Sequence, residues 1–215
     1  MTFKYSALLV AGLMTGCMLT AGCDDDGDGN GGDAGDIGNN NPAVVVCLGD
    51  SLTEGTPEGG VPFPARLAAQ TGKTVINAGS GGEKASGGAA RANSVLQKYK
   101  PAAMTILYGA NDVIQGHSSA ETIASLGSII AACRNNQTRP ILATLPPMVA
   151  GHAIWNGGVL ALNEQIRSLA SSEGVTLVDL EQEFGSEPYM LLAPDGLHPN
   201  DTGNMVIADT FAGRL

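Results

Sequence analysis

A serine follows the first long apolar run after the N-terminal region, at the point where that run would end as a buried strand. Residues 43–48 are apolar and include three consecutive valines, and the sequence Gly-Asp-Ser-Leu at 49–52 ends the run abruptly. Ligands of open α/β sheets bind beyond the carboxyl ends of the strands, where Ser51 is expected to lie. A serine hydroxyl is a weak nucleophile unless a base takes its proton. If Ser51 is a nucleophile, the chain must also supply a base, a group that orients the base and donors for an oxyanion.

A carboxylate and an imidazole lie three residues apart near the end of the chain. Residues 194–200 read Pro-Asp-Gly-Leu-His-Pro-Asn, so Asp195 can orient the ring of His198 and leave its second nitrogen free for Ser51. A base of this kind predicts activity that rises with pH as the imidazole loses its proton. The alternative interpretation is a surface histidine on a turn held between two prolines.

Two further loops could supply donors for an oxyanion. Residues 77–83 are rich in glycine, which lets backbone N–H groups approach a ligand closely, and residues 108–112 place the amide of Asn111 after a predicted strand. Each loop also has a purely structural interpretation, as a flexible connection or a turn. The Gly-Asp-Ser sequence has one too, because Asp50 or Ser51 could cap a helix. The joint occurrence of all four segments favours chemistry.

Apolar runs alternate with helical patterns from residue 42 to the end, which predicts a mainly parallel sheet with helices on both faces. The predicted strands are Ala43–Leu48, Thr74–Ala78, Met104–Tyr108, Pro140–Leu145 and Val175–Leu180. The predicted helices are Pro64–Gln70, Gly88–Tyr99, Ser119–Asn135, Gly158–Ser172 and Thr202–Leu215. Gly72 and Gly174 are expected to end two of the helices in the left-handed conformation. The ends of the first three strands should meet at one rim of the sheet.

The first 41 residues are not expected to belong to this fold. Residues 1–22 have a basic start, an apolar middle and small residues, as in a secretory signal, and the sequence Leu-Thr-Ala-Gly-Cys ending at Cys23 resembles a lipoprotein lipidation site. Cys17 is a weaker candidate for lipidation, and ordinary secretion or an uncleaved membrane helix are the alternatives. We therefore expect a protein of the cell envelope, lipid-anchored on the periplasmic or outer face. Two acyl chains give stable attachment to a membrane.

Residues 23–41 are rich in Asp, Gly and Asn and predict a disordered tether. Residues 24–41 hold six of the 21 acidic residues of the chain and no basic residue. Matches there to a dinucleotide fingerprint and to the start of a calcium loop lack the strand, the helices and the final glutamate that those sites need. The formal net charge of −10 argues against nucleic acid as a partner.

The motifs together resemble the SGNH hydrolases, also called GDSL esterases and lipases. The resemblance covers residues 43–215 and includes Gly-Asp-Ser-Leu-Thr, Asn-Ala-Gly-x-x-Gly, Gly-x-Asn-Asp and Asp-x-x-His-Pro in that order. Glu83 stands where many members have Asp. The resemblance implies one α/β domain, a flavodoxin-like three-layer αβα sandwich with a five-stranded parallel sheet of order 2-1-3-4-5.

The resemblance also assigns roles to residues. Ser51 would be the nucleophile, His198 the base and Asp195 the acid that orients it. The oxyanion hole would consist of the backbone N–H groups of Ser51 and Gly82 and the side-chain amide of Asn111. No metal or cofactor is implied.

The expected activity is hydrolysis of carboxylic esters or thioesters through an acyl-enzyme, by a monomer. Short-chain acyl esters or lysophospholipid-like lipids are the expected substrates, and O-acetyl groups on polysaccharide or peptidoglycan are the alternative. A non-catalytic binding module and a flavin-binding protein could share the fold. Cys47 and Cys133 could pair after signal removal, although buried free thiols are favoured. His117 and His152 are expected in loops, and His152 and Trp155 could line a substrate cleft.

Overall fold

Residues 37–215 are described by a computed structural model, and they contain a five-stranded parallel sheet of order β2-β1-β3-β4-β5. The predicted signal peptide, the lipidation residue Cys23 and tether residues 23–36 lie outside the described residues. The last residues of the predicted tether, 37–41, are described: they form a turn, and Asn41 is the first residue of the first strand. The strands are β1 Asn41–Gly49, β2 Thr74–Gly79, β3 Pro101–Leu107, β4 Arg139–Ala143 and β5 Thr176–Val178. Helices cover both faces of this sheet, so the predicted fold class and strand order are confirmed.

The pairing register aligns the carboxyl ends of the three strands that carry the predicted motifs. Gly49, the last residue of β1, lies opposite Gly79 of β2 on one side and opposite Leu107 of β3 on the other. The inner residues of β1 and β3 are completely buried, as expected for parallel strands covered on both faces. The segments that follow β1, β2 and β3 therefore begin at one rim of the sheet.

The helices form two layers around the sheet. Helices α2 and α8 pack against each other, α3 packs against α5, and α5 packs against α6. The bounds are α1 Ser51–Glu54, α2 Phe63–Thr71, α3 Ala85–Tyr99, α4 Ala110–Ile114, α5 Ser119–Asn135, α6 Asn156–Glu173, α7 Leu180–Phe184 and α8 Asp201–Ala212. Short 3₁₀ helices span Pro57–Gly59, Ala150–Trp155 and Pro188–Met190. Helix α5 has the predicted bounds, and Ser118 and Glu121 form a capping box at its start.

The sequence pattern was wrong about several element bounds. It missed α1, α4 and α7, which have four or five residues each and are too short to show a helical period. It extended β4 and β5 too far. Thr144 still donates its backbone N–H to the carbonyl of Val178, but the side chain of Asn163 occupies both backbone groups of Leu145, which therefore pairs with no strand. Asp179 ends β5 by capping α7.

Several smaller predictions are confirmed. Gly72 and Gly174 end α2 and α6 in the left-handed conformation. Cys47 and Cys133 are buried free thiols, and burial raises the pKa of each to about 12, so neither is a thiolate nucleophile at neutral pH.

Residues 37–215 contain neither a membrane-spanning helix nor a cluster of metal ligands. None of the helices in this part of the chain is both long and apolar enough to cross a membrane. Across the same residues there is no group of three or more His, Cys, Asp or Glu side chains arranged to hold a metal ion.

Candidate active site

Ser51 is the first residue of α1, directly beyond the end of β1. Its neighbour Asp50 is completely buried and caps the helix, because one oxygen of its carboxylate accepts from the backbone N–H of Leu52 at 2.9 Å. Asp50 therefore has the structural role that the capping interpretation predicted, while the adjacent hydroxyl of Ser51 faces the loop that carries His198. A strand that passes directly into a short capped helix fixes the backbone of Ser51 on both sides.

The imidazole of His198 lies between Ser51 and Asp195. Its Nε2 is 3.0 Å from the Ser51 Oγ, and its Nδ1 is 2.6 Å from one carboxylate oxygen of Asp195. With the proton on Nδ1 donated to the carboxylate, Nε2 has a lone pair that can accept from the serine hydroxyl. The structure thus brings together three side chains that are as many as 147 positions apart in the sequence.

Asp195 is held as an ionised acceptor. Burial disfavours its charged form, but hydrogen bonds from the His198 ring and from the backbone N–H groups of Leu197 and His198 outweigh this, and the pKa of Asp195 lies below its ordinary value. A carboxylate that stays ionised can orient the imidazole and stabilise the imidazolium.

The segment that contains Val149 and His152 packs against the loop that carries Asp195 and holds it in position. Val149 donates its backbone N–H to the carbonyl of Gly196 at 2.9 Å, and Nδ1 of His152 lies 2.7 Å from the carbonyl of Asp195. Because a carbonyl only accepts, that nitrogen of His152 carries a proton. The ring of Trp155 lies 5.3 Å from the His152 ring. The sequence indicated that His152 and Trp155 could line a cleft, but it gave no sign of this contact with the Asp195 loop.

Two backbone N–H groups near Ser51 are available for an oxyanion. Among residues 37–215, the backbone N–H groups of Ser51 and Gly82 donate no hydrogen bond to another protein atom. Gly82 has φ of +73°, a left-handed conformation that favours glycine at this position of the turn. A Cβ placed on the neighbouring Gly81 would lie 4.0 Å from the Ser51 Cβ, which shows how closely the turn approaches the serine.

Asn111 follows β3, and its side-chain amide contacts the residues next to Ser51 and Gly82. Its Nδ2 donates to a carboxylate oxygen of Asp50 and to the backbone carbonyl of Glu83, each at 3.1 Å. Both amide hydrogens are thus engaged, so this amide can bind an oxyanion only if it shares or gives up one of these bonds. Burial raises the pKa of Asp50 to about 7, against the opposing effect of hydrogen bonds from Leu52 and Asn111.

Other polar residues near the rim have structural contacts. Asp112 is almost completely buried and accepts from the backbone N–H of Ala85 and the hydroxyl of Thr122, each at 3.1 Å, so it ties α3 and α5 to α4. His117 is exposed in a loop, with its Nε2 2.8 Å from the Lys84 ammonium. Neither residue contacts Ser51, His198 or Asp195.

A parallel αβα sandwich with a serine beyond its first strand, faced by a histidine that a carboxylate contacts, fits a carboxylic ester hydrolase, and the family match shows that this protein is one. The sequence model of the GDSL-like lipase/acylhydrolase family matches residues 47–206, which is most of the chain. The chain therefore belongs to this family.

Individual relatives agree with this assignment. The chain is 27% identical over 178 residues to thioesterase 1/protease 1/lysophospholipase L1 of Escherichia coli K12, covering 80% of this chain and 83% of the relative. It is 27% identical over 164 residues to esterase TesA of Pseudomonas aeruginosa, covering 73% and 79%. Among solved structures, a lipase/acylhydrolase from Enterococcus faecalis matches with TM-score 0.69 and 23% identity over 80% of this chain and 94% of that one. The acetyl xylan esterase AlAXEase matches with TM-score 0.71 and 21% identity over 80% and 99%.

Proposed function

We propose that the protein is a serine esterase that hydrolyses acyl esters and thioesters through a Ser51–His198–Asp195 triad and an acyl-enzyme. The observation that carries this proposal is the pair of contacts of the His198 ring, 3.0 Å to Ser51 Oγ and 2.6 Å to the Asp195 carboxylate. These distances are within hydrogen-bond reach, as proton transfer from a nucleophile to a base requires.

In the proposed mechanism, His198 accepts the proton of Ser51 as the serine oxygen attacks the carbonyl carbon of the ester. The negative charge that forms on the carbonyl oxygen is stabilised by the N–H groups of Ser51 and Gly82 and by the Asn111 amide. His198 then protonates the leaving alcohol or thiol. Water repeats the same sequence on the acyl-enzyme and releases the acid, which restores Ser51. Asp195 holds the imidazole in the required tautomer throughout.

Short-chain acyl esters or lysophospholipid-like lipids are the substrates that we propose. The name of the E. coli relative includes thioesterase and lysophospholipase, and that of the Pseudomonas relative includes esterase, which supports acyl esters and thioesters as the common substrate class. O-acetyl groups on a cell-envelope polysaccharide are the second candidate, favoured by the predicted export of the chain.

A panel of esters tests the substrate class. We expect hydrolysis of p-nitrophenyl acetate and butyrate to exceed that of the palmitate ester, with turnover of an acyl thioester as well. The measurement is kcat/KM for each ester, with a lysophospholipid and acetylated sugars in the same panel and Ser51→Ala as the blank. Activity confined to acetylated sugars would favour the second candidate. Equal inactivity of wild type and blank on every member would count against the proposed substrates and support a binding module on the same fold.

We also propose that the mature protein is a monomer anchored in the cell envelope through lipid on Cys23, with the predicted tether up to residue 40 as a linker to the catalytic domain. The expected result is that Cys23→Ser moves the protein from the membrane fraction to the soluble fraction, because the acyl chains that hold it are lost. Cys17→Ser is the matched control and should remain in the membrane fraction, since Cys17 lies within the predicted signal. The measurement is the distribution of the full chain after cell fractionation. Release by Cys17→Ser but not by Cys23→Ser would contradict the assignment.

A further inference from the structure

One arginine of α3 contacts the ends of all three strands that carry the candidate site. The guanidinium of Arg91 donates through Nη2 to the backbone carbonyls of Gly49 at 3.3 Å and Ala78 at 2.6 Å, which belong to β1 and β2. The same nitrogen lies 2.7 Å from the hydroxyl of Tyr108, the residue that follows β3, and 2.7 Å from the carboxylate of Glu83. Arg91 is therefore a common partner of the three strand ends.

Glu83 connects this arginine to the loop that holds Gly82. Its carboxylate accepts from Nε of Arg91 at 2.9 Å and from the Tyr108 hydroxyl at 2.5 Å. Burial raises the pKa of Tyr108 above its ordinary value, as does the Glu83 carboxylate, so the hydroxyl keeps its proton and donates. A carboxylate with two donors of this kind has little freedom to move, because charge-assisted hydrogen bonds are short and strong.

The backbone of Glu83 continues the connection to the oxyanion donors. Its N–H donates to the carbonyl of Ser80 at 3.1 Å and closes the turn that contains Gly82, while its own carbonyl accepts from the Asn111 amide at 3.1 Å. The N–H of Ser80 donates to the carbonyl of Gly49 at 3.0 Å, which is also a partner of Arg91. Every donor assigned to the oxyanion hole thus belongs to a segment that Arg91 or Glu83 contacts.

We propose that Arg91, through Glu83 and Tyr108, is a positioning residue that sets the relative placement of the three oxyanion donors. This inference rests on the proposed function, because it concerns the hole that the esterase mechanism uses. Oxyanion donors must lie within a few tenths of an ångström of their ideal distance to act. They stabilise the transition state more than the bound ester, so their displacement should lower kcat with little change in KM.

The test is the substitution Arg91→Met, which keeps a long unbranched side chain and removes every donor. We expect kcat for a soluble p-nitrophenyl ester to fall between about 10-fold and 100-fold, with KM within about threefold of wild type. The affinity for a boronic acid, which forms a tetrahedral adduct on the serine, should weaken together with kcat. Arg134→Met is the matched control, because Arg134 is exposed and pairs with Glu173 on the surface. It should leave kcat and boronic acid affinity unchanged.

Two milder variants keep the proposal testable if Arg91→Met does not fold. Tyr108→Phe removes one hydroxyl, Glu83→Gln removes one charge, and both should lower kcat in the same direction and by a smaller factor. A folded Arg91→Met with wild-type kcat, or with a loss confined to KM and unchanged boronic acid affinity, overturns the positioning role. So does wild-type kcat in both milder variants. If the wild type has no turnover beyond that of Ser51→Ala, the proposed function is overturned instead. The comparison of wild type with Ser51→Ala in the same assay therefore separates the two failures.

Discussion

Replacing Ser51 with alanine is expected to lower kcat for ester hydrolysis by at least about 10⁴-fold, because the acyl-enzyme can no longer form. The serine oxygen is the atom that His198 faces at 3.0 Å, and the two cysteines of residues 37–215, Cys47 and Cys133, are both buried, so neither can replace it. The side chain of Ser51 does not cap α1, since Asp50 performs that role. The alanine variant should therefore fold as the wild type does, and its residual rate reports the contribution of binding and of the oxyanion donors alone.

Ser128→Ala is the matched control for this substitution. Ser128 is exposed on α5, where its hydroxyl bonds only to the carbonyl of Ala124 in the same helix. Its loss should leave kcat within about twofold of wild type. Circular dichroism and the thermal unfolding midpoint of both variants establish that they are folded. A folded Ser51→Ala protein that retains even a tenth of wild-type kcat would falsify the assignment of Ser51 as nucleophile.

The sequence was sufficient for the parts of the molecule that depend on local pattern. The buried valines of β1 followed by Gly-Asp-Ser predict both a central strand and a serine at its end, because a fully covered parallel strand needs an unbroken apolar run. Strand–helix alternation then restricts the topology to a parallel sheet whose strand ends share a rim. Those two facts place the segments that hold Ser51, Gly82 and Asn111 near one another without any knowledge of side-chain geometry.

What the sequence could not provide was the set of contacts between elements. Arg91 appears in the sequence as one more polar residue of a helix, and its contacts depend on how α3 is rotated against three strand ends. The contact of His152 with the carbonyl of Asp195 depends on a 3₁₀ helix that shows no periodic pattern. The sequence likewise could not show that both amide hydrogens of Asn111 are already donated, because their acceptors, Asp50 and Glu83, belong to two other segments.

Replacing Asp195 with asparagine should reduce kcat by about 10⁴-fold while leaving the fold intact. The Oδ1 of the new amide can still accept from the backbone N–H groups of Leu197 and His198. In the wild type these nitrogens lie 2.9 and 3.1 Å from Asp195 Oδ1. The other position becomes an NH₂ group facing Nδ1 of His198. An N–H donor there forces the imidazole to accept at Nδ1 and to carry its proton on Nε2. The lone pair that should take the proton of Ser51 is then absent.

The Asp195→Asn variant distinguishes a catalytic carboxylate from one that only holds a loop in place. Asp209→Asn is its control, because Asp209 is exposed on α8 and accepts from Gln70 at 2.6 Å on the surface. It should keep wild-type kcat. The measurement is kcat for both variants across the pH range in which wild type is active, together with their unfolding midpoints. A folded Asp195→Asn protein within tenfold of wild type would mean that His198 takes the required tautomer without a carboxylate, and the roles of both residues in the mechanism would have to be reassigned.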